Sequence, residues 1–281
     1  MAERLFVRLP GDPVYAPETT VPAGTMRELA LPRELRGYLA HATFYEEHIP
    51  DGREVVEHVL PDGAARLIVD LHGSTAIRVV GASAEPVVLR QRGHLRGFSV
   101  ALQAGAAAAL LDAPAHAIAG QDVSLADLWG REGRDFAEQL AAARDDAARG
   151  ALILSALRAR CAASGAADAE TISPVRRAVD LMNQHGGRCS MAALTHATGL
   201  GERRLQQLFR EHLGLAPRTW MRLARMHHCL RMLRAQRLPW AHLAAEAGYA
   251  DQSHLANEFR ALSGLTPSQF LRMAGSAGTA G

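Results

Sequence analysis

The sequence predicts an α+β chain: a β-rich N-terminal domain with helices following it, then an all-α C-terminal domain containing two helix-turn-helix units. Three observations lead there. Short apolar stretches separated by turn residues fill the region from Val21 to about Ser124. An Ala-, Leu- and Arg-rich pattern takes over at Leu125. The landmarks of one stretch then recur at an offset of 50 residues.

In the first region, "EVVEHVLPDGAARLIVDLHGSTAIRVVGASAEPVVL" alternates apolar runs with breakers. Pro61-Asp62-Gly63 has the composition of a tight turn, because proline fixes φ and glycine accepts the left-handed position. Val55–Leu60 and Ala65–Leu71 are therefore expected to form a hairpin. Gly81-Ala82-Ser83 and Gly93-His94 punctuate further strands. Glu57, His58 and Arg66 are candidates for lining a pocket or for a surface ion pair. From Leu125, "LADLWGREGRDFAEQLAAARDDAARGALILSALRARCA" predicts two or three packed helices. "SGAADAE", small and polar without periodicity, reads as a linker. The expected organisation is an N-terminal domain over 1–165, a linker over 166–172, a helical domain over 173–273 and a disordered tail, "AGSAGTAG", over 274–281.

The repeat lies between "THATGLGERRLQQLFREHLGLAPRTW" and "AEAGYADQSHLANEFRALSGLTPSQF". Leu205, Phe209, Arg210, Gly214, Pro217 and Trp220 answer to Leu255, Phe259, Arg260, Gly264, Pro267 and Phe270, all at an offset of 50. Upstream the offset is 49, pairing Gly199 with Gly248 and Leu194 with Leu243. Each copy reads as a short helix, a turn placed by glycine, and a second helix with apolar residues at helical spacing. Ser190 and Asp251 are suited to cap helix starts, Gly201 less so, and Pro239 and Pro267 fit a first helical turn. With Leu205, Leu208 and Phe209 turned inward, the 100° step leaves Arg203, Gln206, Gln207 and Arg210 outward. In the second copy the corresponding face carries Ser253, Ala256, Asn257 and Arg260, with Gln252 near the start.

Charge divides the chain in the same way. Residues 171–281 hold 14 Arg against 6 acidic residues, a net of +8, while residues 1–170 hold 17 Arg against 23 acids, a net of −6. A basic half suggests a nucleic-acid module, since clustered cations release counterions from phosphates. Arg pairs bidentately with guanine, and Gln or Asn with adenine, in the major groove. Each outward residue is equally a candidate for phosphate positioning or simple solvation. The 3 cysteines, Cys161, Cys189 and Cys229, have neither disulfide nor zinc-finger spacing. His227-His228, beside Cys229, point in different directions on a helix, so no metal and no cofactor are expected. "MAERLFVRLP" lacks an apolar signal core and no run is long enough to span a membrane, so a cytoplasmic, nucleoid-associated protein is expected.

The paired motifs, above all "AGYADQSHLANEFRALSGLTP", resemble the DNA-binding domain of the AraC/XylS family of transcription regulators, over about Ser173 to Met273. The resemblance implies that a long helix, Pro217 to Arg234, joins the units and that the second helix of each enters a major groove of double-stranded DNA. It places base reading on Arg203, Gln206 and Gln207, and on Gln252, Ser253 and Asn257. Many members carry Arg where this chain has Gln207 and Asn257. His254, a common histidine position of the family, is expected to pack or to touch phosphate. RNA polymerase is an implied partner, and a small-molecule effector and a second copy of the chain are further candidates. "LPDGAARLIVDL" and "VSLADLWG" resemble an uncharacterised sensor-type domain found in some members, for which a cupin-type β-barrel is expected by analogy, without the clustered H-x-H histidines of catalytic cupins. The expected function is DNA-binding transcription regulation, without enzymatic activity. The alternatives are an alkyl-transfer DNA-repair enzyme with the same module, or an enzyme domain fused to it; no P-loop or G-x-S-x-G elbow is present.

Overall fold

A computed structural model of the chain describes residues 2–164, 167–235 and 239–275. Nine strands are described: β1 (Ala2–Phe6), β2 (Met26–Glu28), β3 (Leu39–His48), β4 (Val55–Val59), β5 (Arg66–Asp70), β6 (Ala76–Val80), β7 (Val87–Gln91), β8 (His94–Leu102) and β9 (Asp122–Ser124). They form a 3-stranded sheet of order β1-β4-β7 and a 6-stranded sheet of order β2-β3-β8-β5-β6-β9. Every pairing in the larger sheet is antiparallel, whereas β1 runs parallel to β4. Side chains alternate as a half-covered sheet requires: Leu67 and Val69 of β5, and Ile77 and Val79 of β6, are buried, while Arg78 is exposed.

Helices α1 (Ala107–Leu111), α2 (Ala115–Ile118), α3 (Leu125–Trp129), α4 (Arg131–Ala142) and α5 (Asp146–Ser164) follow. Leu125, Trp129, Phe136, Leu140, Ile153 and Leu157 from α3, α4 and α5 close over Phe98, whose ring meets Phe44 edge-on at 5.2 Å. Each such apolar side chain contributes about 1.5–3 kcal/mol by leaving water.

The expected hairpin between Val55 and Leu71 does not form. β4 pairs with β1 and β7, and β5 pairs with β6 and β8, so the Pro61–Gly63 turn carries the chain from one sheet to the other. The candidate pocket residues are separated by the same crossing. Glu57 is buried against Arg4, with Oε2 2.6 Å from Nε, and Arg4 also donates to Glu47 at 2.7 Å and Gln91 at 2.6 Å. Arg66 instead bonds Asp62 and approaches His41 at 3.3 Å. His58 Nδ1 is buried without a hydrogen-bond partner. Neither a shared pocket nor a surface ion pair results.

The C-terminal helices are α6 (Ala167–Gln184), α7 (Met191–Thr198), α8 (Glu202–Leu213), α9 (Pro217–Ala235), α10 (Trp240–Glu246), α11 (Gln252–Ser263) and α12 (Pro267–Gly275). Residues 167–172 of the expected linker form the start of α6, since "ADAE" is rich in good helix formers, and residue 166 lies outside the described residues. Of the expected tail, Ala274 and Gly275 complete α12, and 276–281 lie outside the described residues. Pro239 is the residue before α10 rather than its first turn, whereas Pro267 begins α12.

The halves share one hydrophobic core. Leu5, Val7 and Leu9 pack with Leu223, Met226 and Leu230 of α9, Phe259 and Leu262 of α11, and Phe270 of α12. The Nε2–H of buried His227 donates to the carbonyl of Pro61 at 3.0 Å. Arg234 binds Asp12 through both terminal nitrogens at 2.8 and 2.9 Å and Glu18 through Nε at 2.6 Å.

Candidate nucleic-acid interface

Each unit is assembled by local chemistry. Ser190 Oγ accepts from the N–H of Ala193 at 3.1 Å and starts α7; Asp251 Oδ1 accepts from His254 N–H at 2.7 Å and starts α11. Gly201 precedes α8 with no side-chain cap. The intervening turns close at Gly199 (φ +69°) and Gly248 (φ +78°), a region costly for any residue with a Cβ. Leu205, Leu208 and Phe209 of α8 face Val175, Val179, Met182 and Leu194. Leu255 of α11 faces Cys229, Leu243 and Tyr249. The two copies therefore have matching backbones and separate cores.

With these faces fixed, the opposite ones are open. Arg203, Gln206, Gln207 and Arg210 on α8, and Gln252, Ser253, His254, Asn257 and Arg260 on α11, are all exposed. Ala256 is half-buried, Arg204 is exposed, and Glu202 stands exposed at the start of α8. Gln206 Nε2 donates to Glu202 Oε1 and Gln207 Nε2 to Glu211 Oε1, both at 2.9 Å. These i,i+4 bonds orient both amides and use one N–H of each, leaving the second N–H and the carbonyl oxygen of each amide open. The i,i+4 Glu–Gln spacing in "ERRLQQLFRE" was the available signal for them.

His254 differs from its neighbours. Its Nδ1 accepts from Ala250 N–H at 3.3 Å and its ring meets Tyr249 at 5.4 Å, holding the turn against α11. Arg222 of α9 grips Glu258 of α11 at 2.8 and 3.2 Å, and the carboxylate raises the arginine pKa. Arg188 Nη1 donates to the carbonyl of Glu246 at 3.0 Å, linking the two units.

His227, His228 and Cys229 point three ways, toward Pro61, toward Gly186 and into the core beside Tyr249. Among the described residues no group of three His, Cys, Asp or Glu is arranged to hold a metal ion. Burial pushes the Cys161 thiol up to about 11 and that of Cys229 up to about 12, and raises that of Cys189. Thiols so shifted are poor nucleophiles near neutral pH. Among the described residues no helix is long and apolar enough to cross a membrane.

Comparison with known proteins finds a match in each half. Residues 194–273 match the family described as a helix-turn-helix domain, and residues 28–124 match a domain of unknown function, DUF6597. The chain is 32% identical over 84 residues to the HTH-type transcriptional regulator GlxA of Rhizobium meliloti, covering 30% of this chain and 26% of that protein. It is 30% identical over 90 residues to the HTH-type transcriptional activator RhaR of Yersinia pseudotuberculosis, covering 32% of this chain and 31% of that one. The chain thus spans 26% and 31% of the length of these two relatives. Among solved structures, ToxT from Vibrio cholerae aligns over 85% of this chain and 98% of its own at 11% identity, with a TM-score of 0.41. A transcriptional regulator with an AraC-type DNA-binding domain from Chromobacterium violaceum aligns over 39% and 96% at 19% identity, with a TM-score of 0.35.

Proposed function

We propose that the chain, whose residues 194–273 match a helix-turn-helix domain, is a sequence-specific DNA-binding transcription regulator of the AraC type and not an enzyme. In this reading the N-terminal domain takes up a signal, a small molecule being the favoured kind, and the protein works in the cytoplasm on the nucleoid. RNA polymerase is its further partner, and a second copy of the chain a candidate one.

One observation carries the proposal: two copies of the same helix each turn a row of exposed hydrogen-bonding side chains away from their own cores. Arg203, Gln206 and Gln207 read one major groove; Gln252, Ser253 and Asn257 read the next, with Arg210 and Arg260 on phosphates. The 19 residues of α9 extend about 28 Å, which suits groove faces that recur about every 34–36 Å on one side of B-DNA. The site is asymmetric because the two sets of side chains differ. The alkyl-transfer alternative requires a reactive thiolate, and the raised thiol pKa values of all three cysteines argue against it.

Footprinting the purified full chain on the DNA upstream of its own coding region, with and without candidate metabolites, tests the proposal. Two protected elements about 10–10.5 base pairs apart are expected. Inserting about five base pairs between them turns one element by half a helical turn and should abolish joint protection. Unchanged protection after the insertion refutes two-groove reading, and the absence of any specific footprint refutes the regulator.

A further inference from the structure

We infer that the N-terminal domain is a brace that sets the distance and angle between the two reading helices, so that Asp12, Glu18, Pro86 and Ala119 are positioning residues for DNA reading. The inference rests on the DNA-binding function proposed above.

Its basis is a symmetry of contact. The repeat's recurring landmarks include the glycine that ends each reading helix and the aromatic residue six positions later, and the N-terminal domain touches all four. A Cβ placed on Gly214, after α8, would lie 2.8 Å from the carbonyl oxygen of Ala115 and 3.0 Å from Ala119 Cβ. A Cβ on Gly264, after α11, would lie 3.3 Å from Pro86 Cβ. Trp220 packs against Gly63, at 3.1 Å from the Cβ position, and Phe270 shares its core with Leu5, Val7 and Leu9. Two pseudo-equivalent sites on the DNA-reading half are thus docked by two different parts of one sheet-and-helix body.

Alone, α9 would leave the units joined by one helix and a few polar contacts such as Arg188 to Glu246 and Arg222 to Glu258. The second mechanical path runs through the N-terminal domain. It is fastened to α9 by Arg234 between Asp12 and Glu18 and by His227 on Pro61. The body does not cover the reading faces. Gly214 and Gly264 each lie eleven residues beyond Arg203 and Ser253, about 17 Å along their helices, and the nine outward side chains are exposed. The charge distribution fits the same placement: a net −6 is attracted to the +8 half and repelled by phosphates, which favours a seat on the side away from DNA.

The experiment uses the full chain and a set of duplexes in which the two footprinted elements stand at native spacing or one to three base pairs closer or farther. Each added base pair rotates the second groove by about 35°. Wild type should bind native spacing best. The isosteric pair Asp12→Asn/Glu18→Gln loosens the fastening of α9, and Pro86→Gly removes the contact at the α11 cap from a half-buried loop outside both main cores, so the test survives if the first variant folds poorly. Expected for either variant is a flatter profile, with the ratio of native to shifted affinity reduced by about fivefold or more. A role in stability alone would lower Tm and leave that ratio unchanged. An unchanged ratio in both variants, despite faster proteolysis between the halves, overturns the brace. Tighter binding at every spacing also overturns it, because the domain would then be a cover. A wild-type chain that binds no duplex specifically defeats the regulator reading itself, a result distinguishable from both.

Discussion

His227 of α9 gives its Nε2 proton to the carbonyl oxygen of Pro61, 3.0 Å away, at the turn between the two sheets. Both groups are withdrawn from water, so each satisfies the other. His227→Leu leaves the carbonyl unpaired and should cost about 1–3 kcal/mol. Urea denaturation of the full chain measures this, with His227→Gln, which keeps a donor, recovering part of the loss. Equal stability of His227→Leu and wild type would show that the bond holds nothing.

Acid should destabilise the fold well above the carboxylate range. Burial, with Arg66 and Arg8 nearby, pushes the His41 imidazole down to about 3, and burial also lowers that of His227. The unfolded chain takes up these protons near 6.5, so the stability held by the neutral rings is complete above that pH and is lost as pH falls toward the folded values. For His41 the loss between pH 6.5 and 5 is on the order of 2 kcal/mol. Thermal melts at pH 7 and 5 should show it, and His41→Asn should flatten the dependence. A melting temperature equal at both pH values contradicts the assignment.

Arg203→Ala should weaken specific binding by about 1–3 kcal/mol and relax preference at one base pair, as expected for loss of a bidentate guanine contact. Selection from a random pool reads both effects. Uniformly weaker binding to an unchanged sequence would make Arg203 a phosphate contact.

Two glycines flanking α8 should respond oppositely. Gly214 has φ +72° and faces the carbonyl of Ala115, so Gly214→Ala should destabilise by about 1–3 kcal/mol through strain and displacement. Gly201 has φ −67° with open space around its Cβ position, so Gly201→Ser should gain a few tenths of a kcal/mol, about the worth of a helix cap. Denaturation midpoints of both variants decide it; a stabilising Gly214→Ala would deny the contact.

What the sequence revealed was what is local. The outward faces of α8 and α11 follow from the helical step, and Ser190 and Asp251 cap where their short polar side chains predict. Pro61-Asp62-Gly63 is a turn as its residues require, yet the partners of the strands it joins are set by residues far away: Arg4 waiting for Glu57, and Trp220 filling the space at Gly63. Local chemistry fixed the bend and not its destination. In "SGAADAE" the last four residues, "ADAE", misled because smallness reads as looseness, while alanine favours helix. Nothing in "ERLFVRLP" marks it as core for a helix at the other end of the chain, and the split into an acidic and a basic half concealed that the two share one interior.

That shared interior also orders events during synthesis. Leu5, Val7 and Leu9 leave the ribosome about 250 residues before Phe259, Leu262 and Phe270, against which they are buried. Until then the first strand has its parallel neighbour β4 and an uncovered apolar flank, the kind of surface that invites chaperones or wrong partners. The second helix-turn-helix unit is therefore completed by residues made long before it, and substitutions in β1 act on its core directly.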